Sequence, residues 1–124
     1  MSGKTIVVVD DNADARRAVV RTLKLHGHRV LDTGEPSQVL SLVSEEGARP
    51  DLLVTDVVMP EKSGITLASE LVEEWPELKV LFISGYADRD VDASELPEGI
   101  RAFLEKPFTI NELAETVNEL LDSG

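Results

Sequence analysis

The chain has 124 residues, no cysteine, and 24 acidic against twelve basic residues, which gives a formal charge of −12 at pH 7. That length, with 42% hydrophobic residues, fits one domain over residues 1–124, and the negative charge argues against direct binding of nucleic acid. The longest apolar runs have four residues and the N-terminus lacks the apolar core of a signal peptide, so we expect a cytoplasmic protein that does not cross a membrane.

The first half of the chain alternates short apolar runs with amphipathic stretches, a pattern that predicts strands followed by helices. The runs that we interpret as strands cover about residues 4–9, 28–33 and 51–55. The stretch from Asn12 to His26 predicts a first helix, whose apolar face contains Ala15, Ala18, Val19, Thr22 and Leu23. A second helix begins near Pro36, and its predicted inward face consists of Val39, Leu40 and Val43.

The second half of the chain continues this alternation, with further strands predicted over about residues 78–83 and 100–104. The third helix ends at Pro76 and places inward Ile65, Ala68, Leu71, Val72 and Trp75. A short polar helix near residues 89–96 has few apolar residues and should pack loosely. The last helix begins with a capping box of Thr109 and Glu112, and its apolar stripe contains Ile110, Leu113, Ala114, Val117, Leu120 and Leu121.

Polar side chains follow four of the predicted strands. Five alternating strand and helix units predict a parallel α/β sheet, in which the carboxyl ends of all the strands lie at one edge. In a doubly wound sheet of order 2-1-3-4-5, the first and third strands are neighbours at the edge where ligands bind. We therefore expect Asp10 and Asp11 to lie beside Asp56. Ser84 and Lys106 follow the fourth and fifth strands and should face the same site.

This set of residues indicates chemistry on a phosphoryl group. Three crowded carboxylates repel each other unless a cation joins them, and Mg²⁺ fits best because it prefers oxygen ligands. A carboxylate can also attack phosphorus, and Asp56 is our candidate nucleophile, which leaves Asp10 and Asp11 to hold the metal. Lys106 supplies positive charge and Ser84 a hydroxyl donor, as phosphoryl transfer requires. Taken singly, each residue could instead be a cap, a turn residue or an exposed side chain.

The motifs VVVDDN, TDVVMP, ISGYAD and FLEKPF resemble the receiver domain of bacterial two-component response regulators over essentially the whole chain. The spacings are similar too, with 45 residues from Asp11 to Asp56, 28 to Ser84 and 22 more to Lys106. The resemblance implies a flavodoxin-like (βα)5 three-layer sandwich with a parallel five-stranded sheet of order 2-1-3-4-5. The phrases SGYAD and LEKPFT look most like receivers of hybrid sensor histidine kinases, so the parent protein could be such a kinase.

The resemblance also implies a phosphorylation-dependent switch. Asp56 would accept a phosphoryl group from a phosphohistidine on a sensor histidine kinase or a histidine phosphotransfer protein. Mg²⁺ would be held by Asp10 or Asp11, Asp56 and the backbone carbonyl of Val58. The domain would catalyse its own phosphorylation and slow dephosphorylation without acting on an external substrate, and phosphorylation could promote dimerisation.

The resemblance assigns roles to residues near the other strand ends as well. The hydroxyl of Ser84 turns toward the phosphoryl group in such domains and the ring of Phe103 follows it inward, although a strand aromatic can also simply pack in the core. The Lys106-Pro107 peptide bond is expected to be cis. The expected docking surface for the phosphohistidine protein comprises the first helix near Ala15 to Val19 and the loop at Pro107 and Phe108.

Three alternatives remain open from the sequence. A phosphatase or phosphotransferase of the haloacid dehalogenase type also forms an aspartyl phosphate, but it has a second Asp two residues after the nucleophile, where this chain has Val58. A flavodoxin-like cofactor-binding protein would need donors and glycines in the first loop, which carries Asp10 and Asp11 instead. A degenerate receiver that only binds partners would not need the complete set of acid, hydroxyl and lysine.

Overall fold

The computed structural model describes residues 4–47, 49–84, 101–105 and 108–122, and these contain a five-stranded parallel sheet. The strands are β1 (Thr5–Val9), β2 (Arg29–Thr33), β3 (Leu52–Asp56), β4 (Lys79–Ser84) and β5 (Arg101–Glu105). Their order is β2-β1-β3-β4-β5, and every neighbouring pair is parallel. The predicted flavodoxin-like topology is therefore confirmed.

Four helices lie within the described residues, two on each side of the sheet. They are α1 (Ala13–Leu25), α2 (Val39–Glu46), α3 (Gly64–Glu74) and α4 (Ile110–Asp122), with a 3-10 turn at Pro36–Gln38 before α2. The short helix predicted near residues 89–96 lies outside the described residues. None of the helices that the structure describes is long and apolar enough to cross a bilayer.

The core forms two apolar layers, because successive strand side chains point to opposite faces of the sheet. Val7, Val9 and Leu53 pack with residues of α2 and α3 in one layer. Ile6 and Val8 pack with residues of α1 and α4 in the other layer. The central strands β1 and β3 are buried on both faces, which explains their continuous apolar sequences.

The burial of the helices differs from the sequence prediction at a few positions. Leu40 and Ile110 were expected to face inward, but they are 45% and 66% exposed, and Ala18 is also exposed. Leu67 is buried, although it was not predicted to be. Each short helix contacts the sheet over a narrow stripe, so residues at the border of an apolar face stay in contact with solvent.

Local hydrogen bonds define where the helices begin and end. The side chain of Asn12 accepts a hydrogen bond from the backbone N–H of Ala15 (3.0 Å), which caps α1. The predicted capping box of α4 is confirmed: Glu112 accepts from the N–H of Thr109 (2.9 Å), and Thr109 accepts from the N–H of Glu112 (3.0 Å). Gly47 ends α2 with a φ of 63°, a left-handed conformation that glycine adopts without strain.

The turn between β3 and α3 brings the start of the helix against the end of the strand. The backbone N–H of Gly64 donates to the carbonyl of Val57 (2.7 Å). A Cβ atom at Gly64 would overlap the backbone carbonyl oxygen of Asp56. The Thr55 hydroxyl donates to that same oxygen (3.0 Å). Glycine is therefore required here by the close approach of two backbone segments.

We expect Gly64→Ala to lower the free energy of unfolding by about 1–3 kcal/mol, because the overlapping atom belongs to the backbone and cannot rotate away. Urea unfolding followed by circular dichroism measures this change. Ser69→Ala, at an exposed position of the same helix, serves as the control and should stay within about 0.5 kcal/mol of the parent chain. Equal stability of the two variants would contradict the close approach.

Candidate functional site

The structure brings three of the predicted site residues together at the carboxyl edge of the sheet. Val9 of β1 is paired with Thr55 of β3, so the residues that follow, Asp10 and Asp56, lie side by side. One carboxylate oxygen from each of Asp10, Asp11 and Asp56 lies within 4.8 Å of the others. This spacing is compatible with one small cation shared by all three groups. Oxygen ligands of this kind suit Mg²⁺.

Asp10 is the most buried member of the cluster, at 4% exposure, and its position is fixed by the loop after β1. Its Oδ1 accepts a hydrogen bond from the backbone N–H of Asn12 (2.9 Å), and its own N–H donates to the carbonyl of Thr33 in β2 (3.3 Å). Arg16 of α1 donates from Nη1 to the carbonyl of Asp10 (2.7 Å). A buried carboxylate is costly unless it is hydrogen-bonded or paired, and the N–H of Asn12 is such a partner. The contacts with Thr33 and Arg16 hold the main chain of Asp10.

Arg16 is a residue of the site that the sequence analysis missed. Besides its contact with Asp10, its Nε donates to Asp32 Oδ2 of β2 (3.0 Å), so the guanidinium links α1, β2 and the loop after β1. Five N–H donors in a rigid plane make arginine suited to such bridging. The sequence signal is weak, because Arg16 is one of two adjacent arginines on an amphipathic helix.

Asp56 is the last residue of β3 and is partly exposed, while Asp11 is exposed. The Oδ1 atom of Asp56 accepts a hydrogen bond from the backbone N–H of Val57 (2.9 Å), and the same N–H lies 3.1 Å from the carbonyl of Ile83 in β4. The neighbouring strand therefore helps to fix the direction of this carboxylate. The carboxylate is held by the backbone and remains reachable from solvent, two properties that a nucleophile needs.

The structure describes the remaining predicted site residues only in part. Ser84 ends β4 at the same edge of the sheet, paired with Glu105 of β5, and Phe103 lies opposite Phe82. The side chains of Ser84 and Phe103 lie outside what the structure describes, as do Lys106 and Pro107. Their predicted roles, including the cis peptide bond, stay predictions. Val58 follows β3 directly and its side chain is exposed.

A groove of about 370 Å³ runs from the acid cluster between α1 and α4. Asp10 lies at one end, Ala15 and Ala18 of α1 form one wall, and Phe108 and Ile110 lie on the opposite side. Phe108 is partly buried against the core layer that contains α1 and α4. The groove is mostly apolar, because small alanines on α1 leave the side of the helix open.

The fold and the acid cluster match a known family. Residues 6–118 match the model of the response regulator receiver domain, and the chain belongs to this family. It is therefore a receiver domain of two-component systems, a signalling switch and not an enzyme in the ordinary sense. Receiver domains generally bind Mg²⁺ at an acidic pocket, and the cluster of Asp10, Asp11 and Asp56 fits that ion.

Relatives of this chain include both a short regulator and a much longer kinase. The chain is 40% identical over 119 residues to the sensor kinase CckA of Brucella abortus, covering 95% of this chain and 12% of the kinase. It is 34% identical over 119 residues to the response regulator receiver protein CpdR of the same organism, covering 95% and 97% of the two chains. A response regulator receiver domain protein from Clostridium thermocellum superimposes with a TM-score of 0.84 at 26% identity, covering 96% and 94%.

We expect Asp11→Asn to raise the melting temperature by about 1–3 °C in the presence of a chelator, because it removes one charge from three neighbouring carboxylates. Differential scanning fluorimetry measures the shift. With millimolar Mg²⁺ the parent chain should have the higher melting temperature, since the variant lacks one ligand for the bound ion. Asp14→Asn, an exposed acid in the first turn of α1, is the control and should not raise the melting temperature. An unchanged or lower value for Asp11→Asn in chelator would contradict charge repulsion in the cluster.

Proposed function

We propose that Asp56 is the phosphoryl acceptor of this receiver domain. The observation that carries the proposal is its position at the end of a central strand, beside Asp10 and Asp11 and partly exposed. Asp10 is buried and bonded to its own loop, so it is a poorer candidate for attack on an incoming group. Asp11 is exposed and lies two residues beyond the end of β1, outside the strand pairing.

The proposed reaction moves one phosphoryl group between proteins. A carboxylate oxygen of Asp56 forms a bond to phosphorus while the bond from phosphorus to the histidine nitrogen breaks, and the imidazole keeps the bonding electron pair. Asp10 and Asp11, with Asp56 and the backbone carbonyl of Val58, would hold Mg²⁺. When bound, that ion offsets the negative charge on the phosphoryl oxygens. Slow hydrolysis of the acyl phosphate returns the domain to its starting state.

Residues at the ends of β4 and β5 complete the proposal. Lys106 supplies positive charge to the phosphoryl oxygens and Ser84 a hydroxyl donor, and a cis bond before Pro107 shapes the loop after β5. Ser84 and Phe103 convert phosphorylation into a change of conformation. The carboxyl ends of both strands lie at the same edge of the sheet as Asp56, which supports these assignments. The family match over residues 6–118, which includes both segments, supports them as well.

The phosphoryl donor is a sensor histidine kinase or a histidine phosphotransfer protein, and we propose that it docks on the groove between α1 and α4. The groove begins at Asp10 and is apolar along Ala15 and Ala18, so a helical partner with apolar side chains can place its phosphohistidine near Asp56. Phe108 borders the same groove, in agreement with the docking surface expected from the sequence.

Phosphorylation of the purified chain tests the acceptor. Incubation with Mg²⁺ and a small acyl phosphate should add the mass of one phosphoryl group, and hydroxylamine should remove it, because acyl phosphates react with this nucleophile. Intact-mass spectrometry measures both steps. Asp56→Asn should abolish the adduct. Asp51→Asn, at the opposite end of β3 where the carboxylate accepts from the N–H of Thr5 (2.9 Å), should keep it. An adduct that persists in Asp56→Asn would refute the assignment.

Steric blocking of the groove tests the docking surface. Ala18→Arg places a long side chain in the groove at a position that contributes no ligand to the acid cluster, so transfer from a phosphohistidine-bearing donor domain should slow about tenfold or more. Labelling by the small acyl phosphate should be unchanged, because that donor needs no protein contact. Ser69→Arg on the exposed side of α3, across the sheet, is the matched control and should leave both rates unchanged. Equal transfer rates in the two variants would show that the donor docks elsewhere.

A further inference from the structure

Arg16 occupies a position that the stability of its own helix does not explain. It is the fourth residue of α1, whose beginning is capped by Asn12. The amino end of a helix carries partial positive charge, so a cation close to it is disfavoured. The guanidinium nevertheless reaches back to Asp10, which precedes the helix, and the side chain is only 21% exposed. The contacts that this side chain makes must therefore account for its position.

The guanidinium is held between two segments of the chain. Its Nη1 donates to the carbonyl of Asp10 (2.7 Å), and its Nε donates to Asp32 Oδ2 on β2 (3.0 Å). The carbonyl of Asp10 belongs to the planar peptide unit that joins Asp10 to Asp11. The hydrogen bond from Arg16 therefore orients the peptide between two members of the acid cluster.

Gly34 leaves open the space that the guanidinium fills. A Cβ atom at position 34 would lie 2.6 Å from Arg16 Nη1 and 3.5 Å from the carbonyl oxygen of Asp10. The first distance is too short for two non-bonded atoms, whereas the second is an ordinary van der Waals distance. Gly34 does not have a positive φ, so its backbone conformation does not require glycine. The position of Arg16 Nη1 thus explains why a side chain is missing here.

We propose that Arg16, seated in the space beside Gly34, is a positioning residue for the Mg²⁺ site. The inference rests on the proposed role of Asp10 and Asp11 as ligands of the ion. The N–H of Asp10 donates to the carbonyl of Thr33 (3.3 Å), and Arg16 holds the carbonyl of the same residue. Because both polar groups of this main chain are held, the carboxylates of Asp10 and Asp11 need less reorganisation to bind the cation.

The charge of Arg16 and its hydrogen bond act on Mg²⁺ binding in opposite directions. A guanidinium near the acid cluster repels a cation, so removal of the charge alone should strengthen Mg²⁺ binding. Loss of the hydrogen bond frees the peptide between two ligands, which should weaken Mg²⁺ binding. The sign of the change in affinity therefore distinguishes a positioning residue from a charge that only lies nearby.

Two substitutions remove the contact in different ways. Arg16→Ala deletes the guanidinium together with one positive charge. Gly34→Ala keeps the charge but places a methyl group too close to Nη1, and the flexible arginine side chain can move away at little cost in stability. Arg17→Ala removes the same charge from the adjacent residue, whose side chain is 79% exposed, and is the control for Arg16→Ala. The double variant is the control for Gly34→Ala, since its methyl group meets no guanidinium.

NMR titration of the metal-free chain with MgCl₂ measures the dissociation constant of Mg²⁺. The amide of Asn12 is the reporter, because its N–H donates to Asp10 Oδ1 (2.9 Å). We expect the constant to rise about threefold to tenfold in both Arg16→Ala and Gly34→Ala, which is at the low end for partners of metal ligands. Arg17→Ala should stay within about twofold of the parent chain, and Gly34→Ala should add less than about twofold to Arg16→Ala. Circular dichroism identifies the folded variants, and either Arg16→Ala or Gly34→Ala is sufficient for the test.

Labelling by a small acyl phosphate gives a second measurement. In Arg16→Ala, the Mg²⁺ concentration that gives half of the maximal rate should rise by the same factor as the dissociation constant. The maximal rate should fall by less than that factor, because saturating Mg²⁺ offsets the weaker binding. A general loss of structure would instead lower the maximal rate and leave the half-saturating concentration unchanged.

Two results would overturn the inference and leave the proposed function intact. One is an unchanged or lower dissociation constant in folded Arg16→Ala or Gly34→Ala, and the other is an equal effect of Gly34→Ala with and without Arg16. In both cases Mg²⁺ still binds the parent chain and supports labelling. A parent chain whose Asn12 amide does not respond to MgCl₂, and which is labelled equally well without Mg²⁺, would overturn the proposed metal site and this inference with it.

Discussion

Parallel pairing of β1 with β3 is the constraint on which the site depends. The register that pairs Val9 with Thr55 places the residue after β1 beside the last residue of β3, and both are aspartates. Backbone hydrogen bonds then fix these carboxylates, from Asn12 to Asp10 and from Val57 to Asp56. The donors of these bonds are backbone groups, whose positions are fixed by the sheet and its two buried core layers. The stability of the sheet therefore opposes the repulsion between the acids.

The loops at this edge are shaped by contacts that bring distant segments together. Arg16 links the carbonyl of Asp10 to Asp32 of β2, and Gly64 allows α3 to begin directly against the carbonyl of Asp56. Both contacts involve the backbone of an acid-cluster residue, not its carboxylate. These contacts therefore hold the main chains of Asp10 and Asp56 in place, and the carboxylates of both residues face the site.

Patterns local in sequence, with the strand order that they imply, predicted the fold and the acid cluster, whereas contacts between loops were not predicted. Strand and helix positions followed from apolar periodicity, and the Thr109 and Glu112 capping box was recognisable because its partners are three residues apart. The convergence of Asp10, Asp11 and Asp56 followed from strand order alone. The role of Arg16 and the need for glycine at position 64 depend on how loops approach each other, which no local pattern encodes. The exposure of Leu40 and Ile110 depends likewise on how much of each helix the sheet covers.

The groove between α1 and α4 adjoins the acid cluster, because α1 begins directly after the loop that carries Asp10 and Asp11. The proposed docking surface and the proposed phosphoryl acceptor are therefore connected by a short segment of backbone. Ala15 and Ala18 line the groove but contribute no ligand to the acid cluster. Substitutions at these two positions can thus change which donor protein binds without changing the chemistry at Asp56.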